Sequence, residues 1–167
     1  MPEKPRYSSA GLTIDPLTPE DLPVFMEMMG ECAIALGARG WFVNTAESLH
    51  EALFGESTRM EAILVRFKGE PAGFSSWFET YEVLSGKLVM WFDYFYTRPQ
   101  FRTRPIMPSM LLYLLQLAKD REYLYVEGTV QEWNKSALAL YGLLKAEEIE
   151  HRLFRLDVSK IHIPPIR

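Results

Sequence analysis

The chain is poor in the residues on which metal and redox chemistry depend: it has one cysteine, Cys32, and three histidines, His50, His151 and His162. A single cysteine closes no internal disulfide. Its place in an apolar, helical-looking stretch reads as a small buried residue in a reducing compartment. The histidines are scattered without metal-ligand spacing, so no metal is predicted. Positive charge is in deficit as well, with a net charge of -4, which leaves no basic field for a phosphate backbone and argues against a nucleic-acid partner. Long apolar runs are missing: nothing reaches the length of a membrane span, and Met1-Pro2-Glu3-Lys4-Pro5-Arg6 lacks the apolar core of a signal peptide. The sequence thus predicts a cytoplasmic protein without a membrane partner. Internal repeats and low-complexity segments are absent too.

What is present is apolar side chains, 48% of 167 residues, enough for one globular domain with a sizeable core. The pattern predicts a polar N-terminal tail over 1–11, one domain over 12–158 and a Pro-rich tail over 159–167. Within the domain, Leu12 to Asp15 reads as a short strand. Thr18-Pro19-Glu20-Asp21 opens a helix with Pro and two carboxylates in its first turn, running to about Leu36 and stopping at Gly37. Thr45 caps a second helix, Ala46 to about Phe54, with Leu49 and Leu53 on one face. Met60 to Phe67 and Ala72 to Thr80 read as strands joined by Lys68-Gly69-Glu70-Pro71. Lys87 to Tyr96 reads as a central strand buried on both faces. A charged loop, Arg98 to Arg104, leads to a helix from about Met107 to Asp120, then a strand Tyr123 to Thr129, a helix Lys135 to Leu144 and a last alternating strand Arg152 to Val158. The predicted class is α/β, with a mixed, mostly antiparallel sheet flanked by helices.

The most informative segment is Glu132-Trp133-Asn134-Lys135-Ser136-Ala137-Leu138-Ala139-Leu140-Tyr141, which places an amide and a phenol about two turns apart on one helix. It resembles the signature of the GNAT acyl-coenzyme A transferases, and among them the spermidine/spermine (diamine) acetyltransferases. Other landmarks fall in the same order. Asn44-Thr45-Ala46-Glu47-Ser48-Leu49 with Leu53-Phe54-Gly55-Glu56 is similar to that subfamily's second helix, Gly86-Lys87-Leu88 with Asp93-Tyr94-Phe95 to its central strand, and Phe154 to Asp157 to its final strand. The resemblance covers residues 12 to 158 and implies the GNAT fold, acetyl-coenzyme A as co-substrate, an amine of a small molecule or peptide as acceptor, and a homodimer.

The resemblance also implies roles. Asn134 would help to hold the pantetheine and Tyr141 would be the general acid, a phenol being able to give a proton to a leaving thiolate. Backbone groups of Tyr94, Phe95 and Tyr96 would pair with pantetheine and polarise the thioester. The diphosphate loop maps to Arg102-Thr103-Arg104-Pro105-Ile106-Met107-Pro108, with Arg102, Thr103, Arg104, Ile106 and Met107 as contacts. Both glycines of the family's loop are gone, and Pro105 and Pro108 each remove an N–H donor. Arg98, Arg102 and Arg104 offer charge-assisted contacts instead.

Asp93 stands out in its own right, since a carboxylate in a buried apolar strand is costly unless paired or functional. It is the candidate for orienting the amine or acting as base; a structural carboxylate bonded to a neighbouring strand or Arg is the other reading. The diamine subfamily carries a Glu just before this Asp, where this chain has Phe92. Between the first two helices stands Ala38-Arg39-Gly40-Trp41-Phe42, in which Arg39 would oppose a cationic polyamine. Trp41 and Phe42 suggest a flatter or more apolar acceptor, or a lid packed on the core. Two functions follow: an N-acetyltransferase working by direct attack of the amine, or a degenerate GNAT-fold protein with altered coenzyme binding that acts as an interaction protein.

Overall fold

A computed structural model describes residues 7–150 and 152–160. It divides into two compact units, Met1–Thr129 and Val130–Arg167. The first holds a six-stranded sheet in chain order, β1 (Tyr7–Ser9), β2 (Leu12–Pro16), β3 (Glu61–Phe67), β4 (Glu70–Glu82), β5 (Lys87–Thr97) and β6 (Val126–Gly128). All neighbours are antiparallel except β5 and β6, which run parallel. Three helices belong to this unit: α1 (Leu22–Ala35), α2 (Ala46–Phe54) and α3 (Ile106–Asp120).

Local chemistry sets the helix ends. A turn of 3-10 helix, Pro19–Asp21, precedes α1, and Asp21 Oδ2 accepts from both the Thr18 amide (3.2 Å) and the Thr18 hydroxyl (2.9 Å). Arg66 of β3 pairs with the same Asp21, tying the start of α1 to the sheet. Thr45 caps α2 as its sequence predicts, accepting from Ser48 N at 3.2 Å.

The two faces of the sheet carry separate apolar layers. On one, Leu22, Phe25, Met28 and Cys32 of α1 and Leu49 and Leu53 of α2 pack with Ala62, Leu64, Phe74 and Tyr96. Phe25 meets Phe74 edge-on at 4.9 Å, and burying each such ring stabilises the fold by about 2–3 kcal/mol. On the other face α3 contributes Ile106, Met110, Leu111, Leu114 and Leu117. It approaches β4 so closely at Gly73 that a Cβ there would stand 2.5 Å from Tyr96 O and 3.3 Å from Ile106 Cγ2. The absence of a side chain at Gly73 lets the start of α3 sit directly on β4 and β5.

Three expectations change. Residues 7–9, read as tail, form β1 through a turn at Ala10 and Gly11, both with positive φ. An edge strand needs no apolar alternation, so its sequence was silent. β6 is shorter than Tyr123 to Thr129: the Tyr123 amide bonds back to Ala118 O of α3 at 3.0 Å, and regular pairing is confined to Val126–Gly128. The last strand, Arg152 to Val158, does not form: residues 152–157 are irregular and a 3-10 turn spans Val158–Lys160. Its alternation was read correctly, but Leu153, Phe154 and Leu156 are all exposed, and alternation without a pairing partner makes no strand. The Pro-rich end beyond residue 160 lies outside the described residues, as do residues 1–6.

Candidate active site

β4 and β5 pair regularly until Ser76 stands opposite Tyr94 and Trp77 opposite Phe92, leaving Asp93 as the extra residue of a β-bulge. This corrects the expectation of a carboxylate buried within the strand: the bulge turns Asp93 outward and its residue surface is exposed. Surrounding protein still pushes its pKa upward, by desolvation. Its charge also reaches Cys32, whose thiol is pushed up to about 11, first by burial and then by Asp93. Asp93 therefore lies on the α1 side of the sheet. It has neither hydrogen bond nor ion pair among the described residues, unlike the structural carboxylate that the sequence left open. Beside it, Ser76 Oγ is buried without a hydrogen-bond partner among those residues.

Beyond the bulge β5 has one unpaired edge. β6 pairs with Met90, Trp91 and Phe92 and ends at Gly128, so among the described residues no strand faces Asp93 to Thr97 on that side. This stretch presents main-chain groups to an amide-bearing chain in the manner of strand addition. Its side chains are divided: Tyr94 is partly exposed, Phe95 packs edge-on against Phe92 at 4.9 Å, and Tyr96 is buried with its hydroxyl donating to Glu31 at 3.0 Å. The aromatic run is thus largely packing, with the main chain left for recognition.

The loop after β5 separates the three arginines. Arg98 is committed to α1, donating to Glu31 through Nε (3.1 Å) and Nη2 (2.8 Å) and to Glu27 through Nη2 (2.8 Å). It is not available to a phosphate, which removes it from the expected set. Arg102 is exposed and donates to Thr97 O at 3.4 Å, while Arg104 lies over the Phe67 ring at 5.2 Å. Thr103 is exposed between them. Pro105 sits at the helix cap and Ile106 and Met107 open α3, so their two N–H groups lack intrahelical acceptors. Two guanidinium groups in this loop and two amides at a helix start are a donor set of a kind that fits a diphosphate.

Between α1 and α2 the chain makes a 3-10 turn, Arg39–Trp41. Trp41 is exposed, whereas Phe42 folds back on α1, its Cε1 3.7 Å from where a Gly30 Cβ would stand. Phe42 is thus half-buried against α1, and the Trp41 ring is largely exposed.

The second unit carries α4 (Lys135–Leu143). Asn134 is its N-cap, with Oδ1 accepting from Ala137 N at 3.2 Å, and this use of the oxygen leaves the Nδ2 amide to donate elsewhere. Tyr141 is half-buried and burial pushes its phenol pKa up. Past the end of α4, Lys145 takes the left-handed conformation that glycine usually supplies at a helix cap, at φ 55°, while Ala146 N donates to Tyr141 O at 3.0 Å. The cap geometry survives a residue that favours it less.

Sequence reasoning did not reach the bulge, the buried Ser76 or the Glu27–Glu31–Arg98 cluster. The bulge is a property of pairing between strands, and Glu31 meets Arg98 across 67 residues of chain.

The chain matches the model of the Acetyltransferase (GNAT) family over residues 31–144. It is 30% identical over 150 residues, 87% of this chain and 92% of the other, to a thialysine N-ε-acetyltransferase of Caenorhabditis elegans. Among solved structures it is similar to an aminoglycoside acetyltransferase from an uncultured soil metagenomic sample, at a TM-score of 0.74 and 15% identity over 88% of this chain and 97% of that one. A ribosomal-protein-alanine N-acetyltransferase from Brucella melitensis biovar Abortus 2308 superposes with a TM-score of 0.70 at 18% identity, covering 87% of this chain and 98% of the other. With the bulged strand, its unpaired edge and the arginine loop at a helix start, these matches establish that the chain belongs to the GNAT family of acetyltransferases.

Proposed function

We propose that this acyl-coenzyme A-dependent N-acetyltransferase belongs to the diamine branch of its family and acetylates the terminal primary amine of a short aliphatic small molecule, of the kind that thialysine represents. The observation that carries the reading is Asp93, an unpartnered carboxylate at a strand bulge beside an unpaired main-chain edge. The relative named for thialysine supports the choice of acceptor.

Acetyl-coenzyme A supplies the acetyl thioester. Arg102, Arg104 and the amides of Ile106 and Met107 hold its diphosphate, and the main chain of Tyr94, Phe95 and Tyr96 aligns the pantetheine and thioester. Asn134 contributes its free amide donor to the same chain. Asp93 orients the amine and accepts its proton, and an upward-shifted carboxylate is a better base than an ordinary one. The amine nitrogen then bonds to the acetyl carbon, the carbon–sulfur bond breaks, and Tyr141 gives its proton to the departing thiolate. Trp41 and Phe42 flank the acceptor. A homodimeric, cytoplasmic enzyme is part of this proposal and rests on the family resemblance.

The test is titration calorimetry with acetyl-coenzyme A, beside an assay of thiol release with thialysine as acceptor. Wild-type protein binds in the micromolar range, and an Arg102→Ala/Arg104→Ala variant binds about 10–100-fold more weakly, as loss of two charge-assisted contacts entails. Absence of binding at millimolar coenzyme, or thiol release that no amine accelerates, defeats the reading.

A further inference from the structure

The charges around the acceptor side are unevenly committed. α1 turns two carboxylates toward β5, Glu27 and Glu31, the sort of groups that would receive a second ammonium on a polyamine. Both are engaged by one cation, since Arg98 donates to each at 2.8 Å and Glu31 also accepts from the Tyr96 hydroxyl. Asp93 is the carboxylate of β5 on this side, and no hydrogen bond or ion pair engages it among the described residues.

The connection between α1 and α2 carries an uncommitted charge of the opposite sign. Arg39 is exposed, and its side chain makes no hydrogen bond or ion pair among the described residues. Its position is fixed by its neighbours in the chain. Cys32, which senses the charge of Asp93, lies in the last turn of α1, so the chain leaves the helix about 5 Å further on. Phe42 then brings it back against Gly30, two residues before Cys32. The turn Arg39–Trp41 is therefore held at the end of α1 on which Asp93 acts.

We propose that Arg39 recognises an anionic group, a carboxylate in particular, at the far end of the acceptor, so that the enzyme selects amino-acid amines over diamines and polyamines. The inference rests on the N-acetyltransferase reading above and specifies the acceptor for it. A guanidinium pairs with a carboxylate through two parallel N–H bonds, and it repels a second ammonium in the same place, so attraction and repulsion both favour the amino acid. Trp41, exposed in the same turn, offers a flat apolar wall to the methylene chain between the two ends.

The experiment compares kcat/KM for thialysine with that for the diamine left when its carboxylate is removed, in wild-type protein and in Arg39→Ala, Arg39→Lys and Arg39→Glu. Wild-type enzyme prefers thialysine by about tenfold, the value of one charge-assisted contact. Arg39→Ala abolishes that ratio through a higher KM for thialysine, Arg39→Lys retains part of it, and Arg39→Glu reverses it. Wild-type enzyme that takes both acceptors equally, or an Arg39→Ala variant that loses both in proportion, overturns the role of Arg39 while leaving the acetyltransferase reading in place. Protein that binds acetyl-coenzyme A and acetylates neither acceptor overturns that reading and the present proposal with it.

Discussion

Asp93 and Tyr141 are asked to do opposite things with a proton, and burial shifts the pKa of each upward. For Asp93 the active form is the carboxylate, so kcat/KM falls as pH drops through a value above the ordinary 3.8 of an aspartate. For Tyr141 the active form is the neutral phenol, which burial preserves to a pH above the ordinary 10.0. On the proposed mechanism the two shifts act on opposite limbs of the profile, with the acceptor amine's own ionisation deciding how much nucleophile is present. Asp93→Asn lowers kcat/KM about 100-fold and removes the acid limb it controls; Tyr141→Phe lowers kcat by a similar factor and removes the alkaline fall. Profiles measured with the wild type, the two variants and one acceptor decide the matter: an acid limb that persists unchanged in Asp93→Asn assigns the base elsewhere.

At the scale of elements, the end of β5 is anchored to α1 by Glu31, which takes hydrogen bonds from Tyr96 and Arg98 together. The Arg98 side chain is 14% exposed, so removing Glu31 leaves a largely desolvated guanidinium with Glu27, itself 64% exposed, as its remaining carboxylate. Glu31→Ala costs about 2 kcal/mol, less than a fully buried pair because Glu31 is partly solvated, and Glu31→Gln costs about half of that. Urea unfolding of the three proteins measures it, and a loss below 0.5 kcal/mol, a size typical of surface pairs, would show that Arg98 finds equal partners in Glu27 and the Pro71 carbonyl. The same element shows what a sequence carries. The α2 helix was legible to the residue because its cap, Thr45, and its apolar face, Leu49 and Leu53, are all local signals. Asp93 was legible as an anomaly, a carboxylate set in an aromatic strand. Its exposure and the commitment of Arg98 were not legible, since a bulge exists only in the register of two strands and Glu31 approaches only once α1 has docked. The predicted final strand failed for the same reason in reverse: Arg152 to Val158 has the right alternation, and pairing is not written in it.

At the scale of the whole first unit, three tyrosines join elements that are distant in sequence and share one electrostatic consequence. Tyr96 is pushed up to about 12 by burial and its bond to Glu31, Tyr113 to about 12 by burial, and Tyr123 to about 12 by burial and its bond to Glu79. Tyr123 belongs to a larger set in which Arg121, at the end of α3, donates to Glu61 Oε1 (2.6 Å) and Oε2 (3.1 Å) and to the Tyr123 hydroxyl (3.3 Å), linking α3 to β3 and β4. In the unfolded chain each phenol returns to the ordinary value of 10.0. Between pH 10 and 12 the folded state therefore holds more protons than the unfolded one, and unfolding becomes easier as pH rises. Below pH 10 the contribution of all three is fully present; as pH climbs through about 12 it is lost, because the neutral phenols that pack and donate become buried phenolates. The urea midpoint is accordingly level from neutral pH to about 10 and falls above it. Tyr123→Phe tests the cause: it gives up the bond to Glu79 at neutral pH and so starts less stable, but with one fewer shifted phenol its midpoint declines less steeply between pH 10 and 12. Parallel declines in the two proteins would remove Tyr123 from the set and leave burial of Tyr96 and Tyr113 to account for the alkaline limit.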